Sequence, residues 1–199
     1  MKSAPSQGEL DKLEVDINQR GGTLEIKLVP KIMRRGTVSF DIYVPPTVRE
    51  ISEKTVSGRV ELRQIFPNVE QILKTVSGRI ETDNAADLTA SSTSGSIEFE
   101  FSGGNLDLRT VSGSIEGDVH SVDDDGEISI SSVSGSVKLE VPETFDAALN
   151  LHSTSGSVSV DLPVTITMSK RNKLEGTTGK GLIPVEIGTT SGSIRLEKR

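Results

Sequence analysis

Seven Ser-Gly pairs recur along the chain in a shared sequence context, at residues 57–58, 77–78, 94–95, 112–113, 134–135, 155–156 and 191–192. Two of them sit in nearly identical heptapeptides, KTVSGRV at 54–60 and KTVSGRI at 74–80. Successive glycines are separated by 20, 17, 18, 22, 21 and 36 residues. A period near 20 residues marks stacked repeats, in which no single copy buries its apolar side alone. Gly21-Gly22 and Thr178-Gly179 read as degenerate copies, and the 36-residue interval as one that holds an enlarged or insertion-bearing turn.

Alignment on the glycine turns the repeat into a register. Two residues after it stand Val60, Ile80, Ile97, Ile115, Val137, Val158 and Ile194, all β-branched, and four after it the mostly apolar set Leu62, Thr82, Phe99, Gly117, Leu139, Val160 and Leu196. Five before it stand Glu53, Leu73, Ala90, Leu108, Ile130, Leu151 and Ile187. Alternation of period two on both sides of a fixed corner reads as two short strands per repeat. Glycine supplies the corner because it takes φ > 0 without a Cβ clash. Stacked at the interstrand spacing of about 4.8 Å, the corner serines line up in one ladder. Thr55, Thr75, Ser92, Thr110, Ser132, Ser153 and Thr189 form a second, and the hydroxyls are expected to bond along each.

No segment shows a helical period, so the chain is expected to be all-β. The expected form is a single-chain right-handed β-solenoid of about seven to eight rungs with Ser-Gly corners. Residues 1–9 read as a disordered N-terminal segment and 10–199 as the solenoid domain. LEVDINQRGGTLEIKL and TVSFDIYVPP are expected to supply its first turn, bounded by Pro45 and Pro46. With no Trp, one Tyr and five Phe, the core must be built from small branched side chains, which suits a thin repeat stack.

The charge pattern narrows the function. A net charge of −7 offers no basic stripe to a phosphate backbone, which argues against a nucleic-acid partner. The absence of cysteine excludes disulfides, thiolate zinc and a cysteine nucleophile. No apolar run reaches the length of a transmembrane helix, and MKSAPSQGELDK lacks the apolar core of a signal peptide. Three residues after the corner glycine stand Glu61, Glu81, Glu98 and Glu116; five after it stand Asp83, Glu100, Asp118 and Glu140. Both offsets point away from the core, so the middle rungs present two columns of carboxylates. Like charges stacked in a sheet disfavour one another. A solvated face explains such columns, and so does capture of a hard cation such as Ca²⁺ or of a cationic peptide. SVDDDGEIS at 121–129 matches a calcium loop in part, through Asp123 and Asp125, yet Ser121 and Ser132 replace the first acidic ligand and the bidentate glutamate. Lys170, Arg171, Lys173 and Lys180 make a basic loop suited to an anionic contact.

The TVSG-type corners, the YVPP segment and the closing GTTSGSIRLEK resemble a bacterial family of adhesin-like proteins of unknown function, the toastrack domain, over about residues 10–199. The resemblance implies a β-solenoid, an extracytoplasmic or cell-surface location and a link to membrane proteins of envelope-stress systems. It brings no catalytic residues. The expected role is therefore non-catalytic recognition in the cell envelope, of a protein, peptide or glycan, without a cofactor. Open solenoid ends also allow end-to-end self-association. The alternatives are a structural spacer and a polysaccharide-active β-helix enzyme. The latter needs outward Asp, Arg, Lys or His clusters on adjacent rungs, whereas His120 and His152 have no evident partner in the sequence.

Overall fold

The β-branched repeats do form strands, and the computed structural model describes residues 2–3, 13–30, 37–63 and 68–199. Among these residues there is no helix. The chain divides into two compact units, Met1–Pro45 and Pro46–Arg199. Most of the segment 1–9 lies outside the described residues.

In the first unit, β1 (Lys2–Ser3) pairs antiparallel with β4 (Thr37–Val38), and β2 (Leu13–Arg20) with β3 (Thr23–Pro30). The β2–β3 ladder runs without interruption from Leu13↔Pro30 to Arg20↔Thr23. The expectation that this segment forms the first solenoid turn gives way to a hairpin. The cause is local: Gly21 and Gly22 have φ of 54° and 88°, the left-handed pair that a two-residue hairpin loop requires.

The second unit holds two large sheets. The first strand of each repeat goes to one sheet: β5 (Glu50–Ser57), β7 (Glu70–Ser77), β9 (Asp87–Ser92), β11 (Leu106–Thr110), β13 (Ile128–Ser132), β15 (Ala147–Ser153) and β19 (Ile183–Thr189). The second strand goes to the other: β6 (Val60–Leu62), β8 (Ile80–Ala85), β10 (Ile97–Gly103), β12 (Ile115–Val122), β14 (Val137–Val141), β16 (Val158–Val160) and β20 (Ile194–Lys198). Within each sheet these strands pair in parallel, the arrangement of a β-solenoid. The inward offsets read from the sequence are the buried ones: Leu73, Ile80, Ile97, Leu108, Ile115 and Leu139 are sealed in one core shared by both sheets. Phe101, flanked in register by Ala85 and Val119, is the largest side chain buried completely.

The stacking order departs from the sequence. Through five repeats the neighbours follow chain order, but β13 and β14 are followed by β19 and β20, with β15 and β16 beyond them. The 36-residue interval does hold an insertion, the antiparallel hairpin of β17 (Thr165–Lys170) and β18 (Lys173–Thr177). β18 pairs antiparallel with β15 and ends the parallel run. Its turn caps the outer corner: Asn172 Nδ2 donates to Ser153 O at 2.8 Å, and Val158 N to Arg171 O at 3.0 Å. Thr178-Gly179 belongs to the next loop and is no corner. The Thr178 hydroxyl accepts from Ala147 N and donates to Phe145 O, and Gly179 (φ 56°) packs on Asp146.

The corner glycines are needed for a different reason from the one expected. Among them only Gly58 has a positive φ, 133°. At the others a Cβ would stand 1.8–2.1 Å from the carbonyl oxygen of the preceding corner glycine, in the series Gly58, Gly78, Gly95, Gly113, Gly135, Gly192, Gly156. Close approach of backbone to backbone, rather than left-handed conformation, selects glycine there. The hydroxyl ladders also differ. Rungs spaced about 4.8 Å apart hold the hydroxyls of the second ladder beyond the 2.5–3.0 Å of a direct bond. The Thr75, Ser92, Thr110 and Ser132 hydroxyls are buried with no hydrogen-bond partner.

Candidate functional site

The carboxylate columns lie where their offsets put them, on the outer face of the seven-stranded sheet. Parallel register sets Glu61 beside Glu81, Glu81 beside Glu98, and Glu98 beside Glu116; in the second column Glu100 stands beside Asp118 and Asp118 beside Glu140. A shallow groove of about 500 Å³ runs across them, lined by Glu81, Asp83, Glu98, Glu100, Glu116, Asp118 and Glu140 over a floor of Thr82, Phe99 and Gly117. Of the eight columnar carboxylates only Glu61 stands outside it. Gly117 leaves room for the Phe99 ring on the core side of the sheet, where a Cβ would meet it at 2.5 Å.

The protein's own cations neutralise both ends of the groove. Arg59 bridges Glu81 (2.6 Å) and Glu61 (3.8 Å), and Arg79 bridges Glu81 (3.1 Å) and Glu98 (3.6 Å). At the other end Lys138 reaches Glu140 (2.6 Å), Glu197 (3.5 Å) and Glu116 (3.6 Å) on three different strands. The hydrogen bond to Glu140 raises the Lys138 pKa, as the bond to Glu81 raises that of Arg79. The hydrogen bond from Arg63 holds Glu61 below the usual carboxylate range. Asp83, on β8 at one side of the groove, and Asp118, on β12 within it, take part in no ion pair with Lys, Arg or His among the described residues.

Two β-bulges shape the groove's far edge, and the sequence reading saw neither. Between Phe99 and Phe101 the β8 partner jumps from Thr82 to Ala85, with Asn84 at φ 57°. Between Phe101 and Ser102 the β12 partner jumps from Val119 to Ser121, which leaves His120 as the extra residue. A bulge re-aims the side chain it carries. His120 is thereby brought to the rim of the groove, with Nε2 at 3.6 Å from Glu100 and Nδ1 in contact with the Arg199 guanidinium. His120, which has no evident partner in the sequence, has two in space; the bulge signal would be the mismatch in residue count between β10 and β12. His152 is exposed on β15 and covers Gly188, its ring 2.7 Å from where a Cβ would stand.

The other candidates disperse. Asp123 donates its backbone N–H to Gly103 O at 2.7 Å and accepts from Gly126 N through its carbonyl at 2.9 Å, so residues 123–126 form a tight turn. Asp123 and Asp125 are both exposed. Among the described residues no group of three or more His, Cys, Asp or Glu side chains converges to hold a metal ion. In the basic loop Lys173 pairs with Glu175 at 2.5 Å, while Lys170 and Arg171 stand exposed at the β17–β18 turn. Among the described residues no helix is long and apolar enough to cross a membrane.

Comparison with known proteins bears on the fold. None of the curated proteins matches the sequence. The solved structure of a "putative cell adhesion protein" from Clostridium sporogenes is similar with a TM-score of 0.42 at 13% identity, over 94% of this chain and 77% of that one. The family model described as Toastrack DUF4097 matches residues 5–197. That match spans nearly the whole chain, and the protein belongs to the toastrack family.

Proposed function

We propose that this chain is a non-catalytic recognition domain of the cell envelope, adhesin-like in role, which holds its outer faces at fixed spacing and offers the acidic groove to a cationic segment of a partner. In this reading the rack is a right-handed coil of about seven to eight rungs, with the last strand pair in sequence seated inside it. The observation that carries the reading is the way the groove treats its own cations. Lys138 and Arg79 each span carboxylates of adjacent strands, so a Lys or Arg side chain finds two or three acceptors at the strand spacing. Asp118 stands in register between Glu100 and Glu140, which keeps the same strand-spaced geometry available there, and Asp83 adds an unpaired carboxylate on β8. A dispersed carboxylate ladder suits a chain of separated cationic side chains better than one hard ion, which needs six or more convergent oxygens.

Envelope proteins and peptides are the partner class, at an extracytoplasmic or cell-surface location. The test is binding of a fluorescent oligolysine peptide across a salt series. Expected is binding that weakens as NaCl rises and is lost in Asp83→Lys/Asp118→Lys, while an oligoglutamate control stays unbound. Equal behaviour of wild type and the charge-reversed variant sinks the reading in favour of a spacer. Turnover of acidic or neutral polysaccharides by the wild type would replace it with the enzyme alternative.

A further inference from the structure

The strand pair β19–β20 is last in sequence but internal in the stack, and its two neighbours hold it differently from every other pair. At the interface with β13–β14, Thr189 Oγ1 donates to Gly135 O at 3.2 Å and Ser193 N to Ser136 Oγ at 3.4 Å. At the interface with β15–β16, Ser153 Oγ donates to Gly192 O at 2.8 Å, and the Ser157 and Ser193 hydroxyls bond at 3.2 Å. The equivalent hydroxyls of the pairs stacked in chain order, those of Thr75, Ser92, Thr110 and Ser132, bond to nothing. The inserted pair thus carries its own set of side-chain bonds on both sides, in addition to two parallel ladders on each side.

The slot it fills can also close without it. The corner of β15–β16 reads STSGSV and that of β19–β20 reads TTSGSI, the same pattern in the same register. Either corner presents to β13–β14 a hydroxyl, a glycine and a β-branched residue at identical offsets. β15–β16 can therefore stack directly on β13–β14 and leave β19–β20 outside, its Ile183, Val185, Ile187, Ile194 and Leu196 no longer buried. The β19–β20 pair of another copy fits an open slot with the same ladders it forms here. The connection that allows the exchange is the loop 178–182, where Gly179 and Gly181 hold φ of 56° and 68° and Asp146 Oδ1 accepts from Lys180 N at 3.0 Å.

We propose that β19–β20 is an exchangeable strand pair, and that its partner is a second copy of this chain, whose slot it enters in trans to give a strand-swapped dimer. Every native contact of the inserted pair recurs in the dimer, so the swap changes only the path of the loop 178–182. This inference is independent of what the acidic groove binds.

The test refolds the full chain from denaturant at high and at low protein concentration and reads mass by light scattering. Expected is a species of doubled mass whose fraction rises with refolding concentration and which persists on dilution. Two variants then separate swapping from other association. Gly192→Leu spoils the insert, because a Cβ there meets Gly135 O at 2.0 Å, and leaves the slot intact. Gly156→Leu spoils the slot's outer wall, where a Cβ meets Gly192 O at 1.8 Å, and leaves the insert intact. Differently tagged and refolded together, the two should form a heterodimer that neither forms as a homodimer. A wild type that stays monomeric at every refolding concentration overturns the proposal. So does a wild-type dimer that forms while the complementary variants fail to associate, since such a dimer uses another surface.

Discussion

Gly113→Ala probes the stacking of the corners most directly. Gly113 does not have a positive φ, so alanine meets no backbone strain of its own. Its Cβ would stand 2.1 Å from Gly95 O and 2.7 Å from Gly95 C, both backbone atoms of the neighbouring rung. Relief to an ordinary contact of about 3.5 Å requires the two corners to part by about 1.4 Å. Three backbone bonds join the rungs at this point: Val111 N to Ser92 O (3.1 Å), Ser112 N to Thr93 O (2.9 Å) and Ile97 N to Ser114 O (3.0 Å). Stretching each by that amount abolishes it, and at about 1 kcal/mol apiece the loss is about 3 kcal/mol. Alanine returns about 0.4–1 kcal/mol by narrowing the unfolded ensemble, so the net destabilisation is about 2–3 kcal/mol. In a chain of this size that lowers Tm by roughly 5–10 °C. The chain lacks tryptophan, so the assay is urea unfolding followed by far-ultraviolet circular dichroism, with the slope of the transition checked for constancy. Gly104→Ala is the control, because its Cβ meets side-chain atoms only, Asp87 Oδ1 at 2.8 Å and Asp123 Oδ2 at 3.9 Å, so relief costs at most the bond from Asn105 N to Asp87 and moves no rung. The reasoning is refuted if Gly113→Ala and Gly104→Ala unfold at the same urea concentration.

Replacing a ladder hydroxyl by an isosteric methyl should have opposite signs at two positions. Thr110→Val removes a buried hydroxyl without a partner and should stabilise by about 1 kcal/mol, whereas Thr189→Val removes the donor to Gly135 O and should destabilise by about as much; denaturation midpoints that shift in the same direction would contradict the assignment. Glu53 occupies an inward offset whose counterparts are Leu73 and Leu108, and burial raises its carboxyl pKa. A folded pKa raised above the unfolded one means that the stability tied to the protonated form is complete below the unfolded pKa and disappears as pH rises through the folded one. Glu53→Gln should therefore be more stable than wild type at neutral pH, with the gap closing toward about pH 4, and a gap that persists in melting curves at lower pH would disprove the cause.

The corners, the two strands per repeat and the inward offsets are all legible in the sequence, because period-two alternation repeats at fixed distance from a glycine. Ile80, Ile97 and Ile115 share one offset and one fate, complete burial. The carboxylate groove follows from the same arithmetic, since residues three and five after the glycine must face outward when two and four face in. What escapes is whatever depends on which copy lies next to which. The corners around Gly135, Gly156 and Gly192 have interchangeable patterns, so local chemistry permits either order and only the long interval before Gly192 hints at an insertion. The role of the glycines escapes for a related reason: the clash that selects them lies in the neighbouring rung, at a distance no single copy contains. His120 escapes because a bulge is a difference in residue count between paired strands, and pairing must be known before the count means anything. The hairpin at Gly21-Gly22 is the converse case, where turn chemistry outweighs repeat likeness.

The internal position of β20 has a mechanical meaning. An outer rung under tension can be peeled, one hydrogen bond at a time, because only one of its edges is held. β20 is held along both, by β14 on one side and β16 on the other. A pull applied at residue 199 therefore enters the stack one rung inward and loads two ladders together.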